Sequence, residues 1–279
     1  MNNNSTEVLL LTASINPGKT PDVAIKDPQE RLFEYIISLL AWIELTNIEK
    51  IVFCENTACQ YNFNQIIELA KKKGKSLEIL IFNGNTKSQK YGKGYGEGEI
   101  IKYALKYSKH LSYQTSFYKM TGRLFVKNFN EIQIDHQHYQ NVFQYPAFSH
   151  SVDPFIDMSH KTPENLTEHI RYTIRFLYVF LGRGKGRGPH DYTEHVTTSF
   201  YKSNVNFYKE NLINSYKRVD EKKSYILEHI FYEDIISKDF NLFLKPLNII
   251  GRSGSTGGIY NELEDYPESI KKLAMTFLP

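Results

Sequence analysis

The chain is expected to fold as an α/β protein on a mostly parallel, Rossmann-like sheet flanked by helices. Two observations lead there. Short apolar runs alternate with segments of helical period, in the order β-α-β-α-β, over residues 8–82. Each run gives way to a polar loop at its carboxyl end, which is where such sheets bind their ligands. With 279 residues and 41% apolar composition, the chain is long enough to bury one large core.

The elements follow in order. Residues 8–11 (VLLL) make the first buried strand, opening into Thr12-Ala13-Ser14, and the prolines and glycine at 17, 18, 21 and 28 make a loop. Residues 29–46 (QERLFEYIISLLAWIELT) carry apolar positions at helical spacing. Residues 51–54 (IVFC) are the second strand, residues 63–73 a helix ended by Gly74, and residues 77–82 (LEILIF) the third strand. Residues 87–98 (KSQKYGKGYGEG) read as a glycine-rich loop leading into a helix over 99–109, followed by a strand over 116–126. Beyond an unassigned His-rich stretch, residues 163–181 read as helical and GRGKGRGP at 182–189 as a mobile loop. A strand (196–201), two helices (206–219 and 225–237), a strand (247–250), the loop GRSGSTGG at 251–258 and a short helix complete the chain.

Composition narrows the class of function. A net charge of +3 from 34 basic and 31 acidic residues gives no sign of a nucleic-acid groove. The two cysteines, Cys54 and Cys59, suit a reducing compartment rather than a disulfide framework or a zinc site. No apolar run reaches the roughly 18 residues of a membrane span, and MNNNST at the start lacks the parts of a signal peptide. The expected location is cytoplasmic, with peripheral contact to the inner membrane left open.

Two motifs point to an anionic ligand. The glycines of KGYGEGEI (93–100), Gly94 and Gly96 among them, would let backbone N–H groups approach a phosphate at a helix start, next to Lys93 and Glu97. Equally, they could form a plain turn. In YKMTGRLFV (118–126), strand alternation puts Lys119, Thr121 and Arg123 on one face, around Gly122. Buried cations need an anion, either a diphosphate or a carboxylate of the chain such as Glu97 or Glu99. In SYILEHIFYEDI (224–235), Glu228 on a core-facing helix side is a general-base candidate, with His229 its titratable neighbour. His136, His138, His150 and His160 lack the fixed spacing of a metal site, so no metal ligand is assigned.

In the opening strand with TASI, in KGYGEGEIIKYAL, FYKMTGRLFV, TSFYKSNVNFYKENL and YILEHIFYE, the chain resembles bacterial glycosyltransferases encoded with capsule and lipopolysaccharide genes. The resemblance implies a GT-A-like fold. Residues 1–130 would be the Rossmann-like half that binds a nucleotide sugar, and residues 131–279 a largely helical half, of the same domain, for a glycan or lipid-linked glycan acceptor. Thr12, Ala13, Ser14, Glu55 and Asn83 would line the nucleotide pocket; Lys93, Lys119 and Arg123 would meet the diphosphate. Glu228 would be the base of an inverting transfer. No cofactor is firmly implied: Mn or Mg stays open, but KMTGR stands where an Asp-any-Asp metal motif is expected, and DPFID (153–157) is no convincing substitute. A nucleotidyltransferase acting on a sugar phosphate, or a non-catalytic glycan- or nucleic-acid-binding module, are the alternatives.

Overall fold

The first strand, β1 (Val8–Ala13), lies inside the sheet, and its sequence says why. Leu9 and Leu11 enter one apolar layer and Val8 and Leu10 the other, all fully buried, so the unbroken apolar run is what a strand covered on both faces requires. The computed structural model describes residues 7–144, 195–254, 257–261 and 265–278. The helix proposed for 163–181, the loop at 182–189, DPFID, His150 and His160 lie outside the described residues.

Helix α1 (Pro28–Leu45) starts where the sequence signals it. Asp27 accepts hydrogen bonds from the Gln29 and Glu30 N–H groups, and Pro28 takes the first helical position. Strand β2 (Lys50–Glu55), helix α2 (Asn64–Lys72) and strand β3 (Ser76–Ile81) follow, with Gly74 at φ +72° just past the helix end.

Next come α3 (Ser88–Tyr91), α4 (Lys93–Tyr107), α5 (Lys109–Ser112), β4 (Ser116–Thr121), β5 (Phe125–Val126), α6 (Phe129–Asp135) and β6 (Val142–Phe143). After residue 194 lie β7 (Phe200–Asn204), α7 (Val205–Asn211), α8 (Leu227–Ile235), β8 (Asn241–Leu242), β9 (Ile249–Arg252), β10 (Ile259–Asn261) and α9 (Glu268–Thr276). The large sheet has the order β3-β2-β1-β4-β7-β6-β8, and β7 runs against the other six strands. The fold is thus α/β on a mostly parallel sheet, as the alternation predicts. Among the described residues no helix is long and apolar enough to cross a membrane.

Four expectations need correction. The strand expected over 116–126 is two: the chain leaves the large sheet after Thr121, turns at Gly122, and re-enters as β5 in a three-stranded sheet with β9 and β10. The turn is held from α1, because Ser38 Oγ and Trp42 Nε1 both donate to the Leu124 carbonyl. The glycines of KGYGEG are not a loop before a helix but lie inside α4. Lastly, the strand expected over 196–201 sits at Phe200–Asn204, and the helix over 206–219 is the shorter α7 followed by a 3-10 turn, Ser215–Arg218.

Candidate functional site

β1 leads out to β2 and β3 on one side, while β4 pairs on its other side, so the strand order reverses between β1 and β4. Crevices outside the carboxyl ends at such a reversal are where open α/β sheets hold ligands. A cleft lies there, floored by Thr12, Ala13 and Ser14 of β1 and its loop and by Thr121 of β4. Lys93, Gly96 and Glu97 of α4 make one wall, and Arg31 and Tyr35 of α1 with Arg123 make the other. Gly122 lets the two strand ends meet: its N–H donates to the Thr12 carbonyl at 2.9 Å, and a Cβ there would fall 2.8 Å from that oxygen.

The α1 wall is a guanidinium cluster. Arg123 Nη1 donates to Glu34 Oε2 at 2.7 Å, with both side chains 2% exposed. Arg252 of β9 reaches the other Glu34 oxygen and also Glu30. Arg31 has no carboxylate among the described residues: it donates to the Ser14 and Ile25 carbonyls and to the Tyr35 hydroxyl. Burial first, and the Arg123 charge as well, lower its pKa, against Tyr35 and the Glu34 carboxylate, which raise it. Arg31 and Arg123 both lie against the Tyr35 ring, at 5.8 and 5.9 Å from its centroid. Arg123 Nε is buried without a hydrogen-bond partner among the described residues. Two of these guanidiniums, Arg31 and Arg123, line the cleft, while Arg252 and Glu30 lie outside its lining and more exposed.

Lys119 and Arg123 do not share a face. Lys119 is 0% exposed and spends its three N–H bonds on Glu97 Oε1, Thr121 Oγ1 and the Thr198 carbonyl. The carboxylate alternative of the sequence reading is thus the one found for this lysine. Glu97, 21% exposed, lines the cleft above it.

The glycines of α4 serve packing against the chain's own residues. Gly92, just before the helix, has φ +112° and lies so close to Glu221 that a Cβ would fall 2.2 Å from its carboxyl carbon. Glu221 Oε1 accepts the Gly94 N–H at 2.8 Å, so a carboxylate from 127 residues further on occupies the helix start where a phosphate was expected. Gly96 and Gly98 admit the side chains of Ser88 and Tyr216 to similarly close range.

Burial raises the Glu221 pKa, and the Glu228 charge adds to this against the Gly94 N–H and Lys93. A carboxylate raised in the folded state costs stability while ionised, and the cost is relieved as pH falls through the window just above the ordinary glutamate range. Glu221→Gln keeps an acceptor for Gly94 without the charge. Its stability relative to wild type is expected to be highest at neutrality and to decline as both are acidified, read as melting temperature against pH; parallel curves would rule this out.

Other sequence candidates lie outside the cleft. Glu55 is fully buried and accepts from the Ile15, Thr57 and Cys59 N–H groups, so it shapes the loops rather than meeting a ligand. Asn83 is exposed, in a bridge with Thr57. Glu228 is half-buried, takes the Thr198 hydroxyl at 3.0 Å, and acts with burial to raise the Tyr260 phenol. His229 packs edge-on against His195 at 5.6 Å. His136 is a core residue, its Nδ1 bonded to the Ile132 carbonyl and its Nε2 accepting from Leu244 N–H. Among the described residues no three His, Cys, Asp or Glu side chains gather as metal ligands.

The sequence reading missed Arg31 and Tyr35, whereas Asn56 and Asn85 lie on the strand-end edge where it expects the site. Asn56, at the end of β2, is 1% exposed and lines the cleft, and among the described residues neither its Nδ2 nor its Oδ1 has a hydrogen-bond partner. Its neighbour Asn85 is instead satisfied by the Pro17 carbonyl and the Ser88 hydroxyl.

No protein-family model and no curated protein matches the sequence. Solved structures similar to the chain include the glycosyltransferase GlyE of Streptococcus pneumoniae, at TM-score 0.47 and 9% identity over 86% of this chain and 46% of that one. S. aureus TarS 1-349 in complex with UDP is similar at TM-score 0.41 and 12% identity, over 98% of this chain and 64% of that one. A cytidylyltransferase from Leptospira borgpetersenii is similar at TM-score 0.40 and 13% identity, over 98% and 96% of the two chains. The chain spans under half the length of GlyE.

Proposed function

We propose that the chain is a glycosyltransferase that takes a nucleotide sugar into the cleft and passes its sugar to a bacterial surface-glycan acceptor. The observation that carries this is the guanidinium charge at the carboxyl ends of the parallel strands: among the described residues Arg31 makes no salt bridge and Arg123 Nε has no hydrogen-bond partner. A buried cation in excess is costly until an anion joins it, and a diphosphate supplies that anion in the ground state. As the diphosphate leaves, it gains charge, and the same guanidiniums stabilise it through charge-assisted hydrogen bonds. The surface-glycan acceptor rests on the sequence resemblance. Glu228, beyond Thr198, is in this reading the base for the acceptor hydroxyl.

The test is product analysis after a thermal-shift panel has identified the base that binds. A glycosyltransferase releases a nucleoside diphosphate or monophosphate from a nucleotide sugar, and Glu228→Gln slows it roughly a hundredfold or more. Release of inorganic diphosphate from a nucleoside triphosphate would establish the nucleotidyltransferase alternative instead, and an unchanged rate in Glu228→Gln would remove that residue as base.

A further inference from the structure

We propose that Glu97 is the carboxylate that accepts a ligand hydroxyl in the cleft, and that Lys119 is a positioning residue for it and not a phosphate contact. The proposal deepens the nucleotide-sugar reading and rests on it. Lys119 is completely buried and all three of its N–H bonds are taken, so no ligand oxygen reaches it without displacing Glu97, the Thr121 hydroxyl or the Thr198 carbonyl. Its effect is on Glu97: it fixes Oε1 and leaves Oε2 without a hydrogen bond to any described residue, on a side chain that lines the cleft.

Glu97 therefore presents an ionised acceptor to whatever fills the cleft, and acceptor-only groups select donors. The diphosphate is an acceptor and belongs with the guanidiniums opposite. A hydroxyl can give its proton to the carboxylate in a hydrogen bond.

A second observation points the same way. The Asn56 carboxamide is buried in the cleft with its donor and its acceptor both unmet, and its Nδ2 is 3.4 Å from where a Cβ would stand on Gly96, the residue before Glu97. A carboxamide donor and acceptor on Asn56 and a carboxylate oxygen on Glu97, both in the lining of the one cleft, suit ligand hydroxyls, each of which both gives and takes a hydrogen bond. The α4 side of the cleft is thus a hydroxyl wall facing an anion wall. Both the ribose and the transferred sugar carry this chemistry.

The experiment measures affinities of the full chain and its variants for nucleoside diphosphates, the matching nucleotide sugars, and 2′,3′-dideoxynucleoside diphosphates. Glu97→Gln is expected to lose roughly ten- to a hundredfold in affinity for the hydroxyl-bearing ligand that uses it and to keep its affinity for the dideoxy diphosphate. Loss confined to nucleotide sugars assigns the contact to the sugar; loss shared by plain diphosphates assigns it to ribose. Lys119→Met is expected to show the same selective loss, and the double variant to be no weaker than either single one. Equal affinity of Glu97→Gln and wild type for every ligand overturns the proposal. So does loss of dideoxy diphosphate affinity in Lys119→Met with its retention in Glu97→Gln, which would make the lysine a phosphate contact. A wild type that binds none of these ligands overturns the nucleotide-sugar reading as well.

Discussion

Arg123→Ala is expected to lower kcat/KM for the nucleotide sugar by roughly a hundred- to a thousandfold, the usual effect of removing one preorganised charged contact to a developing anion. The side chain is committed to this place by the fold. Gly122 brings β4 against β1, Ser38 and Trp42 hold the turn through the Leu124 carbonyl, and Glu34 fixes Nη1. The rest of the guanidinium faces the cleft, with Gly254 so near that a Cβ there would lie 2.6 Å from Nη2. The stability cost should be the smaller effect, about 1–3 kcal/mol, because Glu34 keeps Arg252 as a partner. Steady-state kinetics and a melting curve on one preparation separate the two. Wild-type kcat/KM would remove Arg123 from the diphosphate site, whatever the melting temperature.

The parts of this site that the sequence discloses are those fixed by local period. Apolar runs give the strands, polar residues at their carboxyl ends give the edge, and Thr12 to Ser14, Asn56 and Asn85 follow from that edge alone. Gly94, Gly96 and Gly98 misled because glycine disfavours a helix interior. They are tolerated inside α4 since Leu227, Ser88 and Tyr216, two of them more than a hundred positions away, need the space. The pairing of Arg123 was hidden for a similar reason: the strand turns out of its sheet after Thr121, which periodicity over residues 118–126 does not register. One signal was available and passed over. Arg31, Glu34 and Ser38 recur at helical spacing within the buried length of α1, and polar side chains on such a face must meet partners. That spacing was enough to mark α1 as a wall of the site. The unmet carboxamide of Asn56, by contrast, is a property of what surrounds it and needs coordinates.

Glu34 supports the largest stability effect. It is the carboxylate of Arg123 and shares Arg252 with Glu30, and its charge also acts on Arg31, so Glu34→Gln leaves Arg123 buried with no ionised partner among the described residues and takes from Arg31 the nearby charge that favours it. Stranding one member of a buried ion pair costs about 3–5 kcal/mol. Glutamine keeps the shape and one acceptor, so the loss is expected near the lower end, seen as an earlier denaturation midpoint. The consequence for ligands runs the other way. With one carboxylate fewer, the corner holds a larger cationic surplus, and an anion that binds only the folded chain recovers part of the lost stability by mass action. Inorganic diphosphate should therefore raise the melting temperature of Glu34→Gln more than that of wild type, and should do least for Arg123→Ala. If the guanidiniums served only to join α1 to β9 and the turn after β4, the variant would be destabilised all the same. Diphosphate would then shift wild type and both variants alike. The order of the three shifts, not the destabilisation, is what tells an anion site from a structural ion-pair network.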